Sequence, residues 1–309
     1  MTNSTKPVIE FINVYKHFGK RLVINNLSFE VYENDIFGFL GPNGAGKSTT
    51  LYMLVRLVYP SSGTIRILGK EHKEVTKYLK EIGAFIEEPA FYDNLSARQN
   101  LSLLARLSNL EDKKSIAEIL DYVGLLDRAN DRVRTYSHGM KQRLAIAQAL
   151  LTKPKVVVLD EPTNGLDPDG TREVWELIKF LSKNNKITFL ISSHLLYEIE
   201  EVCNRVAVLN EGVLVACDYL ENLLKFSECI LEINYPEPEK IKLFISDKNL
   251  GEIISINKNS IKIKTDSIVP EELNKLFCDS GIYVSSIYKV KRTLKELFLE
   301  LTKKKLSTQ

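Results

Sequence analysis

The sequence predicts an α/β protein, a mostly parallel sheet covered by helices on both faces, followed by a small α+β unit. Three observations carry this. Short apolar runs at 35–40, 156–160, 187–194 and 206–209 alternate with segments of helical periodicity. The first run ends in a glycine-rich turn that opens a helix. Near residue 220 the texture changes, and the remaining segments follow the order βαββαβ and a last helix.

Element by element, 8–14 and 27–31 are β-branched or alternating and read as strands, and DIFGFL at 35–40 is a buried strand ending at Gly41. Residues 48–59 read as a helix closed by Pro60. Leu101, Leu104, Ala105 and Leu107 mark a helix over 95–107, and Ile116, Ile119, Leu120 and Val123 fall on one face of another. A third helix covers 139–151. VVVLDEP at 156–162 is a buried strand, and Val174, Leu177, Ile178 and Leu181 mark the helix after it. Two further strands fall at 187–194 and 206–209. Beyond 220 come a strand at 230–235, a helix at 238–245, and strands at 252–257 and 260–264 joined through Asn257-Lys258-Asn259. A helix at 270–278, a strand at 282–290 and a helix at 293–303 complete a ferredoxin-like order. Lys303-Lys304-Lys305 reads as a solvated tail. The division predicted is 1–219 and 220–309, with a helical subdomain at about 90–150.

Composition narrows the function. The 309 residues are 44% hydrophobic, which excludes disorder and disulfide-dependent miniproteins. The 42 basic and 40 acidic residues nearly cancel, so no nucleic-acid partner is expected. No apolar window is long enough to span a bilayer, and MTNSTKPVIEF lacks the pattern of a secretory leader. Cys203, Cys217, Cys229 and Cys278 include no C-x-x-C pair and read as reduced thiols of an intracellular protein, not a zinc site.

The chemistry lies in two stretches. Gly41-Pro42-Asn43-Gly44-Ala45-Gly46-Lys47-Ser48 matches G-x4-G-K-[ST] between a strand and a helix, with Thr49 next in the helix. Glycines let backbone N–H groups converge on phosphate oxygens, and the helix N-terminus adds partial positive charge. Lys47 would reach the β/γ-phosphates, and the Ser48 hydroxyl would ligate Mg²⁺. Asp160 and Glu161 end an apolar strand. Asp160 would hold Mg²⁺, and Glu161, pointing differently, could polarise a water toward the γ-phosphate. The competing reading is a charged strand end.

Between them lies Tyr136-Ser137-His138-Gly139-Met140-Lys141-Gln142-Arg143. With this stretch the chain resembles the ATP-binding cassette (ABC) family, whose signature is usually LSGGQ. The resemblance covers about residues 8–210 and implies a P-loop NTPase cassette with a RecA-like mixed-sheet core and a helical subdomain. It implies that Ser137, His138, Gly139 and Met140 form a signature that acts on ATP held by a second copy. Ser137 is also a plain N-cap candidate. Phe18 matches the adenine-stacking aromatic, with a core phenylalanine as the alternative. Asp167 in Asn164-Gly165-Leu166-Asp167 resembles the D-loop aspartate. His194 resembles the γ-phosphate-contacting histidine, against a satisfied core histidine. His17 and His72 carry no motif and read as surface residues.

Two positions depart from the family pattern. His138 replaces the first signature glycine, and its imidazole is expected to point away from nucleotide. Glu87, in Ile82-Gly83-Ala84-Phe85-Ile86-Glu87-Glu88-Pro89, stands where the family keeps a glutamine that reaches the metal and the attacking water. A carboxylate there resembles the branch of bacitracin-resistance and lantibiotic-immunity ATPases; neutral drift in another exporter is the alternative.

The resemblance implies ATP and Mg²⁺ as cofactors and a homodimer, because one chain carries one phosphate loop and one signature. It implies separately encoded integral membrane permease subunits and a peripheral place on the cytoplasmic face of a bacterial plasma membrane. Phe85, Ile86, Phe91 and Tyr92 are candidates for the docking surface, with internal packing the equal alternative for any one of them. Other multidrug, sodium or polyketide exporters, and soluble non-transport ABC ATPases, are the alternatives.

Overall fold

The computed structural model describes residues 6–74, 78–87, 90–108, 113–224, 229–265, 268–290 and 293–303. Glu88, Pro89 and the Lys304-Lys305 tail of the sequence reading lie outside them. The chain divides into two compact units, one running to Leu220 and including the residues from Leu301 on, the other Glu221–Glu300.

The first unit contains β1 (Pro7–Phe18), β2 (Arg21–Tyr32), β3 (Ile36–Leu40), α1 (Lys47–Leu54), β4 (Ser62–Ile67), β5 (Lys70–Glu71) and β6 (Ile82–Phe85). It continues through α2 (Ala97–Leu107), α3 (Lys113–Tyr122), α4 (His138–Leu150), β7 (Val156–Asp160), α5 (Pro168–Asn185), β8 (Thr188–Ser193), α6 (Leu196–Val202), β9 (Arg205–Asn210) and β10 (Val213–Tyr219). The short helix α7 (Leu220–Leu224) follows.

Its main sheet has six strands in the order β10-β9-β3-β8-β7-β6. All adjacent pairs are parallel except β10 against β9. Val156 to Leu159 and Phe189 to Ile191 are fully buried, which is why these strands read as continuous apolar runs and not as alternation. A second, antiparallel sheet has the order β2-β1-β4-β5. Phe29 joins the two: its ring lies 4.7 Å from Phe11 and 5.7 and 5.4 Å from Phe37 and Phe39 of β3. Such stacked pairs add about 0.5–1.5 kcal/mol each beyond area burial.

The helices start where side chains can cap them. Ser96 and Gln99 form a reciprocal capping box on α2, Ser137 accepts from Met140 N–H on α4, and Asp167 accepts from Gly170 N–H on α5. Helix α1 ends at Leu54, short of the predicted Tyr59, because Arg56 takes a left-handed φ of 62°. Strands β4, β5, β6 and β10 go beyond the sequence reading: β5 and β6 have two and four residues, β4 opens on Ser62-Gly63-Thr64, and β10 (VLVACDY) carries no such local reason. His72 is a correction: it is buried, with Nε2 2.7 Å from Met53 O.

The second unit holds β11 (Cys229–Asn234), α8 (Pro238–Asp247), β12 (Glu252–Ile256), β13 (Ser260–Thr265), α9 (Pro270–Asp279), β14 (Ser286–Lys289) and the start of α10 (Leu294–Lys303). Its antiparallel sheet has the order β12-β13-β11-β14, the ferredoxin-like arrangement. Ile261 and Ile263 face a core with Leu231, Ile233, Ile241, Ile245, Leu273 and Phe277, while Lys262 and Lys264 alternate with them.

Candidate active site

Strand β3 runs parallel to both neighbours, so its carboxyl end lies on the edge where open α/β sheets bind ligands. The chain turns there through Gly41–Gly46. Gly46 has φ 104°, a backbone conformation in which any side chain is strained, so the turn favours glycine there. Lys47 begins α1 and folds back over the loop: Nζ donates to Gly41 O at 2.8 Å and Pro42 O at 3.4 Å. Burial pushes its pKa down, opposed by the nearby Glu161 and Asp160. The ammonium is thus held, desolvated, at the mouth of the loop, ready to exchange carbonyl partners for phosphate oxygens.

A cavity of about 340 Å³ is lined by Phe18, Arg21, Val23, Asn43, Gly44, Gly46, Lys47, Ser48, Thr49 and Glu161. Phe18 is 48% exposed, with Lys16 Nζ 4.6 Å from its ring centre, so it is not a core phenylalanine. A second cavity of about 210 Å³ is lined by Ser48, Phe85, Glu87, His138, Gln142, Asp160, Glu161 and Asn164. Ser48 and Glu161 belong to both. A larger depression, about 450 Å³, lies among Tyr122, Arg143, Glu173 and Phe180 and contains no phosphate-loop residue; chemistry, not size, locates the site.

Strand β7 delivers its two carboxylates differently. Asp160 accepts a hydrogen bond from the Ser192 hydroxyl. Glu161 takes a left-handed φ of 48°, and its N–H donates to Ser192 O and Oγ at 3.1 and 3.2 Å. Its carboxylate spans Lys47, 3.9 Å from Oε1, and His194 Nδ1, 2.8 Å from Oε2. A non-glycine residue held in that backbone region stores about 1–3 kcal/mol, a cost that clusters at functional sites.

Glu87 is also left-handed, φ 71°, and its carboxylate accepts from the Tyr52 hydroxyl. That bond pushes the Tyr52 pKa up to about 12. Tyr52 lies one turn beyond Ser48 on the same face of α1. The His138 imidazole packs on the turn before Asp167, Nε2 3.0 Å from Asn164 O, and lines the smaller cavity of its own chain. Ser137, Gly139, Met140 and Asp167 line neither cavity.

Of the proposed docking residues, Phe85 is buried, Ile86 packs against the core, Phe91 is half-buried, and Tyr92 is 64% exposed. Asn100, buried in α2, fixes Tyr92: Oδ1 accepts from Tyr92 N–H at 2.9 Å, and Nδ2 donates to Tyr92 O at 3.2 Å. Sequence reading missed Tyr52, Gln142 and Ser192. For Ser192 a signal existed: a hydroxyl inside a buried apolar strand needs a partner.

A phosphate loop, an acidic strand end and a histidine on one sheet edge, with a helical insert beside them, define an ATP-binding cassette ATPase. The family model described as ABC transporter matches residues 24–164. The chain is 39% identical to a protein described as uncharacterized ABC transporter ATP-binding protein YhcH of Bacillus subtilis, over 96% of each chain. It is 38% identical to the bacitracin transport ATP-binding protein BcrA of Bacillus licheniformis, over 95% of this chain and 97% of that one. Among solved structures, cbiO1 of Clostridium perfringens, part of the ABC transporter complex cbiONQ, matches with TM-score 0.65 and 26% identity over 70% of this chain and 90% of that one. The dimeric bacterial ABC transporter cassette MJ0796 matches with TM-score 0.61 and 26% identity over 69% and 98%. The chain belongs to the ABC transporter ATP-binding protein family; it binds and hydrolyses ATP. Among the described residues no helix is long and apolar enough to cross a membrane.

Proposed function

We propose that this chain is the ATP-hydrolysing subunit of a bacterial exporter that removes a peptide antibiotic of the bacitracin or lantibiotic class and so confers resistance. The observation that carries the reading is the likeness to BcrA over 297 residues, a length that must include most of the second unit. The carboxylate of Glu87 beside Ser48 and Asp160 supports the same branch.

In this reading Gly41 to Thr49 cradle the phosphates, Lys47 neutralises them, and Phe18 stacks on adenine. Glu161 accepts the proton of the attacking water, held in place by His194 and by its backbone bond to Ser192. The smaller cavity fits a magnesium ion in the chemistry of its donors. The Ser48 hydroxyl and the carboxylates of Asp160 and Glu87 are hard oxygens, and the buried Gln142 Oε1 has no hydrogen-bond partner among the described residues. Mg²⁺ held by these groups would neutralise charge on the β/γ-phosphates.

Ser137, Gly139 and Met140 serve ATP bound to a second copy, and Asp167 lies on the loop that meets it. Permease subunits, encoded separately, form the channel, and the chain sits on the cytoplasmic face. The test is expression with an adjacent permease gene in a sensitive strain. Protection against bacitracin or a lantibiotic, lost with Glu161→Gln, is expected. Protection only against unrelated small drugs would replace this substrate class.

A further inference from the structure

Glu198 lies in the first turn of α6 and is 2% exposed. Thr163 Oγ1 donates to its Oε2 at 2.6 Å, and Trp175 Nε1 donates to the same oxygen at 3.2 Å. The Tyr197 hydroxyl donates to Oε1 at 3.1 Å. No cation pairs with it among the described residues.

Burying a carboxylate on neutral donors is costly, and replacing it together with its donors by apolar residues is often neutral for stability. What the carboxylate adds is connection. Thr163 follows Glu161 by two residues. Trp175 lies on α5, whose N-cap is Asp167. Glu198 itself follows His194 by four. After Glu161 the backbone bonds of the turn are local, Asn164 N–H to Glu161 O and Leu166 N–H to Thr163 O. Glu161 N–H is tied to Ser192 O, but beyond that bond the link from Thr163 and α5 to the helix that follows His194 is made by the side chains on Glu198.

We infer that Glu198 is a positioning residue for ATP hydrolysis: through Thr163 and Trp175 it holds the segments carrying Glu161, Asp167 and His194 in one arrangement. The inference rests on the catalytic assignment of Glu161 and His194. It concerns the hydrolytic step and not nucleotide binding, because Glu198 touches no phosphate-loop residue.

The test uses the full-length chain and measures kcat, ATP affinity and thermal midpoint. Glu198→Gln keeps an acceptor for Thr163 and Trp175 and turns its amide N–H toward Tyr197, so kcat should stay within about twofold of the parent. Glu198→Leu leaves the Thr163 and Trp175 donors unpaired, so the thermal midpoint should fall; ATP affinity of the folded protein should hold while kcat drops at least about tenfold, the scale of a misplaced catalytic group. A folded Glu198→Leu protein with parental kcat overturns the inference, as does an equal loss of ATP affinity. If that variant does not fold, Thr163→Val and Trp175→Phe each remove one donor and leave the carboxylate; parental kcat in both overturns it equally. Turnover that survives Glu161→Gln is a separate result: it overturns the catalytic assignment itself.

Discussion

Glu161 Oε2 lies 2.8 Å from His194 Nδ1, and the other oxygen of the same carboxylate lies 3.9 Å from Lys47 Nζ. One carboxylate therefore links the phosphate loop of β3 to the end of β8. Glu161→Gln keeps the size and one acceptor but cannot take a proton. Hydrolysis should fall by about 10²–10⁴ while ATP still binds. Size-exclusion chromatography with saturating ATP should then show a dimer; a monomer would reject the shared-site reading. Lys47→Ala, by contrast, should abolish binding of a fluorescent ATP analogue.

The Tyr52 hydroxyl and the Glu87 carboxylate form a second pair, of which Glu87 lines the smaller cavity. Glu87→Gln exchanges a charge for an amide beside anionic phosphate, so nucleotide affinity should hold or improve while antibiotic protection falls. Tyr52→Phe should reproduce part of that loss. The double variant should lose less than the sum, with a coupling of about 0.5 kcal/mol or more in hydrolysis. Unchanged protection with Glu87→Gln removes any special role for the carboxylate.

His72 is buried against Met53 O, and burial holds its pKa below the ordinary imidazole value. The unfolded chain therefore binds a proton that the folded chain refuses in the window just below pH 6.5. Stability from this group is present above that value and is lost as pH falls through the window toward the folded pKa. Thermal midpoints of His72→Gln, which keeps an N–H donor without titrating, should fall less between pH 7 and pH 5 than those of the parent. Parallel curves would sink this assignment.

Three thiols should differ in reactivity. Cys278 is exposed, Cys217 is half-buried, and Cys203 is buried. Burial pushes the Cys217 pKa up to about 11, so at pH 8 about one thiol in a thousand is thiolate. Burial raises Cys203 further. In a Cys229→Ser background, a maleimide reagent at pH 8 should label Cys278 first, Cys217 slowly and Cys203 only on unfolding. Rapid labelling of all three would show that β10 and the end of α6 open readily.

Much of the site was legible because its chemistry is local in sequence. The run from Gly41 to Ser48 needs glycines, a lysine and a hydroxyl at fixed spacing, and Asp160-Glu161 needs only an apolar strand before it. The same holds for the second unit. Period-two alternation in β13 and helical periodicity in α9 are local signals, and their order already suggested the sheet that forms.

What the chain alone could not disclose was set by contacts distant in sequence. Ser192 bonds to Asp160 across 32 residues, His138 to Asn164 across 26, Tyr52 to Glu87 across 35, and Glu198 to Thr163 across 35. None has a periodicity or a motif. His72 read as a surface residue and is buried because α1 stops at Leu54 and presents Met53 O to it. Phe85 read equally as a docking or an internal residue; on β6, paired with β7, it is buried and lines the smaller cavity. Sequence determined which groups could bind and cleave a phosphate anhydride, since that depends on residue type and local backbone freedom. Only the packed sheet, through strand pairing and burial, decided which side chains stand behind those groups and which direction each carboxylate faces.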